Sequence, residues 1–176
     1  MTEHLLKILI VGDGNVGKSS FVHRYVNGQF NKTYKMTVGV DFSVKLLHWS
    51  DKEKVRLQLW DVAGQERFIS MTRIYYKGAL GCVMMFDVTS ASSFLNCRHW
   101  KQDLDNKAIL PNGHSIPCIL LANKASPWSS SNNRDFSVTS LSGLCQQTAS
   151  TDSVRLTASL RGWRPQSKTT RTLERL

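Results

Sequence analysis

The stretch Gly12–Ser19 constrains this chain most, because its glycine and lysine spacing is that of a phosphate-binding loop. It reads Gly-Asp-Gly-Asn-Val-Gly-Lys-Ser and matches the pattern G-x-x-x-x-G-K-S. An apolar run of strand length, Leu5–Val11, precedes it, and Ser20–Val26 follows with apolar residues at helical spacing. This motif requires a strand before it and a helix after it. The sequence therefore predicts a phosphate site between the first strand and the first helix.

The residue types of this loop explain how it holds phosphate. Glycines let the backbone turn so that successive N–H groups face one concavity, and the helix N-terminus lies behind them. Lys18 can bridge the β- and γ-phosphates as a point charge, and the Ser19 hydroxyl can ligate Mg²⁺. The predicted nucleotide-binding residues of the loop are Gly14, Asn15, Val16, Gly17, Lys18, Ser19 and Ser20.

Composition restricts the class of protein. A chain of 176 residues suits one domain with a sizeable core. The net charge is +10, but residues 1–124 hold 16 Lys and Arg against 10 Asp and Glu without a dense basic run. A solvated basic surface is therefore the better interpretation, and no nucleic-acid partner is expected.

Cysteine usage and hydropathy point to a cytoplasmic protein. Cys82 and Cys118 lie in apolar runs and are predicted to be buried free thiols of a reducing compartment. The sequence has no signal-peptide pattern and no apolar stretch of membrane-spanning length.

Strand and helix patterns alternate along residues 1–124. Val55–Asp61 alternates apolar and polar residues, which predicts a half-buried strand in a hairpin with the strand before it. Gly81–Val88 and Ile116–Ala122 are nearly all apolar, as buried strands are, and Ser92–Lys107 between them has a helical pattern. This order predicts an α/β fold with a mostly parallel sheet and ligands at the carboxyl ends of its strands. The inward-facing residues of the helix are predicted to be Phe94, Trp100 and Leu104.

Three further groups of residues are expected to lie with the phosphate loop at the carboxyl edge of the sheet. Asp61 can hold Mg²⁺ through water, Gly64 can offer its N–H to a γ-phosphate, and Gln65 can orient an attacking water. Thr37, in a polar loop, could supply a second hydroxyl to Mg²⁺, and Asn123-Lys124 could frame a purine. The predicted metal ligands are Ser19, Thr37 and Asp61, and the predicted catalytic residues are Lys18 and Gln65.

Residues 4–124 closely resemble the Rab family of small Ras-like GTPases. The resemblance is carried by Gly12–Ser19, Thr37–Phe42, Leu59–Phe68 and Asn123-Lys124. It implies a P-loop NTPase small G domain that binds GTP or GDP with Mg²⁺ and hydrolyses GTP as a switch. Variants of the motifs at Val62–Gly64, His48–Asp51, Trp100–Asp105 and Leu110–Gly113 resemble the branch that serves the trans-Golgi and lysosome-related organelles.

The resemblance also implies protein partners and a place of action. Phe42, Trp60 and Tyr75 would form the aromatic patch of the switch regions that effectors read, and exchange factors and GTPase-activating proteins would bind there too. Packing in the core is the alternative for all three rings. Family members act in vesicle transport on Golgi, endosomal and lysosome-related membranes.

The resemblance stops after Lys124. The family reads guanine with Asn-Lys-x-Asp, whereas this chain has Asn123-Lys124-Ala125-Ser126. A serine accepts one neutral hydrogen bond where the carboxylate accepts two charge-assisted ones. We expect a loss of about 2–4 kcal/mol in guanine affinity.

Residues 125–176 differ in character from the incomplete G domain of residues 1–124. Of these 52 residues 18 are Ser or Thr and three are acidic, and sustained apolar periodicity is absent, which predicts a disordered basic tail. The last strand and two covering helices of the family's fold would then be missing or replaced. The strand that ends at Ala122 would expose an edge.

The codons of the tail suggest an origin for it. Codons permitted for Asp152–Leu176, read with a shift of two bases, give Phe-Ser-Lys-Val-Asn-Gly-Phe-Thr, which resembles the usual continuation of this branch. We hypothesise that the segment is an out-of-frame product. Thr172–Leu176 contains no cysteine, so no prenyl acceptor and no stable membrane anchor are expected.

Three functions remain open from the sequence. The first is a Rab-like GTPase in membrane trafficking, impaired in this chain by Ser126. The second is a truncated isoform that binds guanine weakly, lacks an anchor and at most titrates partners. The third is a P-loop module that binds ATP or phosphate with relaxed base choice.

Overall fold

The fold is a central β-sheet with helices on both faces. The computed structural model describes residues 2–29, 36–65, 72–125 and 154–160. Its strands are β1 (Thr2–Val11), β2 (Val40–His48), β3 (Glu53–Val62), β4 (Gly81–Asp87), β5 (Cys118–Ala125) and β6 (Val154–Leu160). Its helices are α1 (Lys18–Asn27), α2 (Thr72–Tyr76) and α3 (Ala91–Lys107).

The strand order across the sheet is β2-β3-β1-β4-β5-β6. β2 runs antiparallel to β3, with Phe42 opposite Trp60, and all the other neighbouring strands are parallel. The predicted α/β fold with a mostly parallel sheet is therefore confirmed, and so is the hairpin. Parallel β1, β3, β4 and β5 end at one edge of the sheet, where the segments that follow them can meet.

Side chains of alternate sheet residues form two apolar cores, one on each face. In β1, Leu9 and Val11 join the cluster that contains Phe94 and Trp100 of α3. Ile10 faces the other way and joins the cluster that contains Val22 of α1. This separation follows from the two-residue repeat of a strand.

Glycine sets both ends of α1. The helix begins at Lys18, directly after Gly17, and ends at Asn27, so it contains the predicted helical segment Ser20–Val26. Gly28 has φ 71°, a left-handed conformation that closes a helix readily, and its N–H donates to the carbonyl of Arg24.

Helix α3 begins after Ser90, whose hydroxyl accepts a hydrogen bond from the N–H of Ser93. Phe94, Trp100 and Leu104 are 5%, 4% and 0% exposed, which confirms the predicted inward face of this helix. The predicted buried thiols are confirmed as well, since Cys82 and Cys118 are buried and free and lie opposite one another on β4 and β5.

Element boundaries differ from the sequence prediction most clearly in β1 and β5. β1 starts at Thr2 instead of Leu5 because its first residues pair with the start of β3. β5 runs from Cys118 to Ala125 instead of from Ile116 to Ala122, so Asn123 and Lys124 belong to the strand. Helix α2 covers Thr72–Tyr76, and residues 66–71 of the segment predicted to be helical lie outside the described residues.

The expectation of disorder throughout residues 125–176 was wrong for Val154–Leu160. These residues form β6 and pair in parallel with β5, from Cys118 opposite Val154 to Ala122 opposite Ala158. The outer edge of β5 is therefore paired, contrary to the exposed edge that was expected. Backbone pairing to an apolar strand supplies the stabilisation that the sequence pattern of this segment does not show. The rest of the predicted tail lies outside the described residues.

Within the described ranges, no helix has the length and apolar character needed to cross a bilayer.

Candidate phosphate-binding site

The loop between β1 and α1 has a backbone that requires glycine at two positions. Gly12 has φ 138°, and a Cβ there would lie 2.1 Å from the carbonyl oxygen of Met85. Gly17 has φ 96°, and a Cβ there would lie 2.3 Å from the side-chain nitrogen Nδ2 of Asn123. The positive φ strains any other residue at either position, and a side chain at Gly12 would also collide with the main chain of β4. Glycine therefore lets the loop lie directly on the ends of β4 and β5.

Lys18 lies beneath this loop. Its Nζ donates to the carbonyl oxygens of Gly12 at 2.8 Å and Asp13 at 2.7 Å, and the residue is 6% exposed. Burial lowers the pKa of Lys18 to about 8, although the negative charges of Asp61 and Asp13 act in the opposite direction. A buried ammonium with two neutral acceptors is poised to gain an anionic partner.

Ser19, Thr37 and Asp61 meet beside Lys18. Ser19 Oγ donates to Asp61 Oδ2 at 2.5 Å, and the hydroxyls of Ser19 and Thr37 are 2.8 Å apart. Thr37 Oγ1 lies 3.4 Å from Asp61 Oδ2. The three predicted metal ligands therefore come together, although they belong to α1, the segment before β2, and β3.

This cluster fits a hard divalent cation such as Mg²⁺. Two hydroxyls and one carboxylate are the oxygen ligands that Mg²⁺ prefers. Asp61 Oδ1 is buried and has no hydrogen-bond partner within the described part of the chain. Burial raises the pKa of Asp61, and the Ser19 hydrogen bond and the Lys18 charge oppose that rise. A bound cation would pair the orphaned oxygen and favour the ionised carboxylate.

Gly64 lies against the phosphate loop. A Cβ at this position would lie 2.3 Å from the carbonyl carbon of Asp13 and 2.3 Å from the nitrogen of Gly14. The side chain of Gln65, the next residue, donates from Nε2 to Met36 Sδ, so it is directed at the segment that carries Thr37. The predicted switch residues thus lie beside the loop, with Gln65 turned towards Met36.

Asn123 and Lys124 serve different contacts at the end of β5. Asn123 Nδ2 donates to the carbonyl oxygen of Val16 at 2.8 Å, which ties β5 to the phosphate loop. Lys124, at φ 62°, forms an ion pair with Asp87 at 2.8 Å. Burial would raise the pKa of Asp87, but hydrogen bonds from Lys124 and Thr89 outweigh that effect and lower it. Ser126, the serine in the base-reading position, lies outside the described residues.

The other predicted residues of the loop differ in exposure. Gly14 and Asn15 are exposed, and Asn15 has the positive φ of 62°. Val16 is 1% exposed and packs into the core beside α1, so it contributes only its main chain to the loop surface. Ser20 is half-buried in the first turn of α1.

The aromatic residues Phe42, Trp60 and Tyr75 are divided between surface and core. Phe42 is 59% exposed, and its ring centroid lies 6.0 Å from that of Trp60. Trp60 and Tyr75 are half-buried and pack against the core that contains α3. Core packing alone therefore does not account for Phe42, whereas Trp60 and Tyr75 also serve the core.

Sequence reasoning missed Asp13 and its partners. The Asp13 carboxylate accepts hydrogen bonds from Asn96 and Trp100 of α3. The acidic side chain beside a phosphate site was the available signal, but nothing in the sequence pairs it with α3.

Comparisons with known proteins agree with this geometry. The model of the Ras family matches residues 7–151, well beyond Lys124. Human Rab-7L1 is 61% identical over 134 residues, which cover 75% of this chain and 66% of that protein. Mouse Rab-32 is 54% identical over 122 residues, which cover 69% of this chain and 55% of that protein. Rab-32B of Dictyostelium discoideum is 48% identical over 123 residues, 70% of this chain and 47% of that protein.

The matched part of this chain thus spans two thirds or less of the length of these relatives. A family match over most of the chain, a phosphate loop with a buried lysine and a mostly parallel sheet nevertheless agree with one another. The chain belongs to the Ras family and, within it, to the Rab small GTPases.

Proposed function

We propose that this chain binds guanine nucleotide and hydrolyses GTP as a switch in intracellular membrane trafficking. The observation that carries the proposal is the meeting of the buried Lys18 with the Ser19, Thr37 and Asp61 oxygens under one glycine-rich loop. Lysine and the loop N–H groups would hold the β- and γ-phosphates. A bound Mg²⁺ would neutralise part of the phosphate charge.

The switch would act through Thr37 and Gly64. Both residues lie beside the phosphate loop, Thr37 before β2 and Gly64 after β3. A γ-phosphate would hold these segments through the Thr37 hydroxyl and the Gly64 N–H, and its loss would release them. For hydrolysis, the Gln65 side chain would leave Met36 and orient the attacking water, with a partner protein supplying an arginine.

Partner proteins would read the switch through its aromatic patch. The patch would consist of the exposed ring of Phe42 and the half-buried rings of Trp60 and Tyr75. Effectors, exchange factors and GTPase-activating proteins are the expected partners. Golgi, endosomal and lysosome-related membranes are the proposed sites of action, from the resemblance of the motifs to that branch.

A second candidate is a chain with impaired guanine recognition, and Ser126 in place of the family's aspartate favours it. The test is titration of the full chain with fluorescent GDP and ATP analogues in Mg²⁺ buffer. The proposed function predicts saturable binding with a preference for GDP. In that case Ser126→Asp should tighten GDP binding by tenfold or more, since it restores charge-assisted hydrogen bonds, and leave ATP binding unchanged.

The matched control is Lys18→Ala, which should strongly weaken the binding of both nucleotides. Equal affinity for GDP and ATP that Ser126→Asp does not change would favour the impaired chain. Absence of nucleotide binding would overturn the proposed function.

A further inference from the structure

Asp13 is bound to helix α3 through both oxygens of its carboxylate. Oδ1 accepts a hydrogen bond from Trp100 Nε1 at 2.8 Å, and Oδ2 accepts one from Asn96 Nδ2 at 2.7 Å. Asn96 and Trp100 are four residues apart and therefore lie on one face of the helix. Trp100 is 4% exposed and belongs to the apolar core, so the donor that it presents is fixed in place.

The main chain of Asp13 faces the opposite way, towards the phosphate site. Its carbonyl oxygen accepts a hydrogen bond from Lys18 Nζ at 2.7 Å. Its carbonyl carbon lies 2.3 Å from the position that a Cβ on Gly64 would take. Asp13 thus connects α3 with Lys18 and lies against Gly64, the glycine that follows β3.

The contacts of Asp13 restrict the backbone of a loop that its neighbouring glycines would otherwise make flexible. Gly12 and Gly14 flank Asp13, and glycine has more backbone freedom than any other residue. A loop of this kind must be ordered before its N–H groups can converge on a phosphate, and ordering it during binding would cost affinity. Two hydrogen bonds to a packed helix would order it in advance.

We propose that Asp13 is a positioning residue, which clamps the phosphate loop to α3 through Trp100 and Asn96 and so presets Lys18 and the loop N–H groups for the β-phosphate. This inference rests on the proposed function, because it concerns the affinity of that same site.

The test compares Asp13→Asn, Trp100→Phe and the double variant in the full chain. Trp100→Phe keeps an aromatic ring in the core and removes the N–H donor together with part of the indole ring. Affinities for GDP and for GMP, which has no β-phosphate, are measured by titration in Mg²⁺ buffer. Each single variant should bind GDP about tenfold more weakly, the effect of one charge-assisted hydrogen bond, and GMP less than twofold more weakly. The double variant should be no weaker than the weaker single variant, because both changes break the same contact.

Asp103→Asn is the matched control. Asp103 lines the same groove of about 270 Å³ as Asp13 and Trp100, but its carboxylate pairs with Lys107 on α3 itself. The control removes an equal charge without touching the loop, so GDP affinity should not change. Parallel losses of GDP and GMP affinity, or additive effects of the two substitutions, would show a general structural role and overturn the clamp.

The indole N–H resonance of Trp100 tests the contact itself, with or without nucleotide. It should be protected from solvent exchange in the wild-type chain and lose that protection in Asp13→Asn. A wild-type chain without GDP affinity would overturn the proposed function. An unprotected indole in the wild-type chain would overturn the clamp, whatever the chain binds.

Discussion

At the scale of single residues, Lys18 shows how the fold prepares a charge for a ligand. The ammonium is buried against two backbone carbonyls, and burial lowers its pKa to about 8. Phosphate oxygens would compensate for the lost hydration and favour the protonated form. The cost of burying this charge is thus recovered when an anion binds.

This linkage predicts a pH dependence of GDP affinity. Below about pH 8 Lys18 is protonated with or without nucleotide, so affinity should be constant there. Above that pH the free protein must take up a proton to bind, so affinity should fall as the pH rises. Dissociation constants measured between pH 6.5 and 9.5 check the profile. Lys18→Met should bind weakly and lose the dependence, and a flat wild-type profile would contradict the prediction.

The local residues of the site could be predicted from the sequence, and one long-range contact could not. Lys18, Ser19 and Asp61 were identifiable because the phosphate-binding motif and the strand-end aspartate have fixed local spacing. The bond from Trp100 to Asp13 joins residues 87 positions apart. Such a pairing depends on where α3 packs, and helical periodicity specifies only that Trp100 points inward.

At the scale of elements, α3 combines a packing role with a role at the loop. One side of it fills the core with Phe94, Trp100 and Leu104, and the same turn of helix presents Asn96 to the loop. The loop is therefore held by an element that the core has already immobilised. Substitutions that disturb the packing of α3 should consequently also disturb the phosphate-binding loop.

A leucine pair on α3 tests the packing role. Leu104→Ala should lower the free energy of unfolding by about 2–5 kcal/mol, because Leu104 is 0% exposed and its loss leaves a cavity. Leu95→Ala, at a position that is 54% exposed, should change it by less than about 0.5 kcal/mol. Urea denaturation of both variants gives these values. Equal effects at the two positions would contradict the observed packing of α3.

The strands of the sheet differ in how well their sequences predict them. β4 and β5 were predicted because an uninterrupted apolar run is typical of a strand covered on both faces. β6 was not, because its sequence Val-Arg-Leu-Thr-Ala-Ser-Leu lies in a segment rich in serine and threonine and without sustained apolar periodicity. Its pairing with β5 is a tertiary contact, which local propensity does not reveal.

At the scale of the whole molecule, β6 completes the sheet on the side away from the β2–β3 hairpin. Without it, β5 would offer unpaired N–H and C=O groups to other chains. The mostly apolar sequence of β5 would make that edge prone to aggregation. The end of β5 thus serves the phosphate site, whereas its outer edge would promote aggregation if it were unpaired.

Truncation tests the role of β6. A chain that ends before Val154 should show faster hydrogen exchange at the amides of Cys118–Ala122 that pair with β6, and it should aggregate at concentrations where the full chain does not. A chain that ends after residue 164 keeps β6 and is the control. Hydrogen exchange by mass spectrometry and light scattering measure the two effects. Unchanged exchange in the shorter chain would show that β6 does not protect β5.

The hydrogen bonds that join the phosphate loop to α3 and to β5 have a consequence for how the molecule folds. Asp13 is bonded to Trp100, 87 residues later, and Val16 to Asn123, 107 residues later. Contacts between such distant residues form slowly, because a long loop must close before they can be made. During synthesis the loop is made before α3 and β5, so it can reach its final conformation only after those elements have been synthesised. Competence to bind nucleotide should therefore appear late in folding, and its recovery on refolding should lag behind that of helical structure.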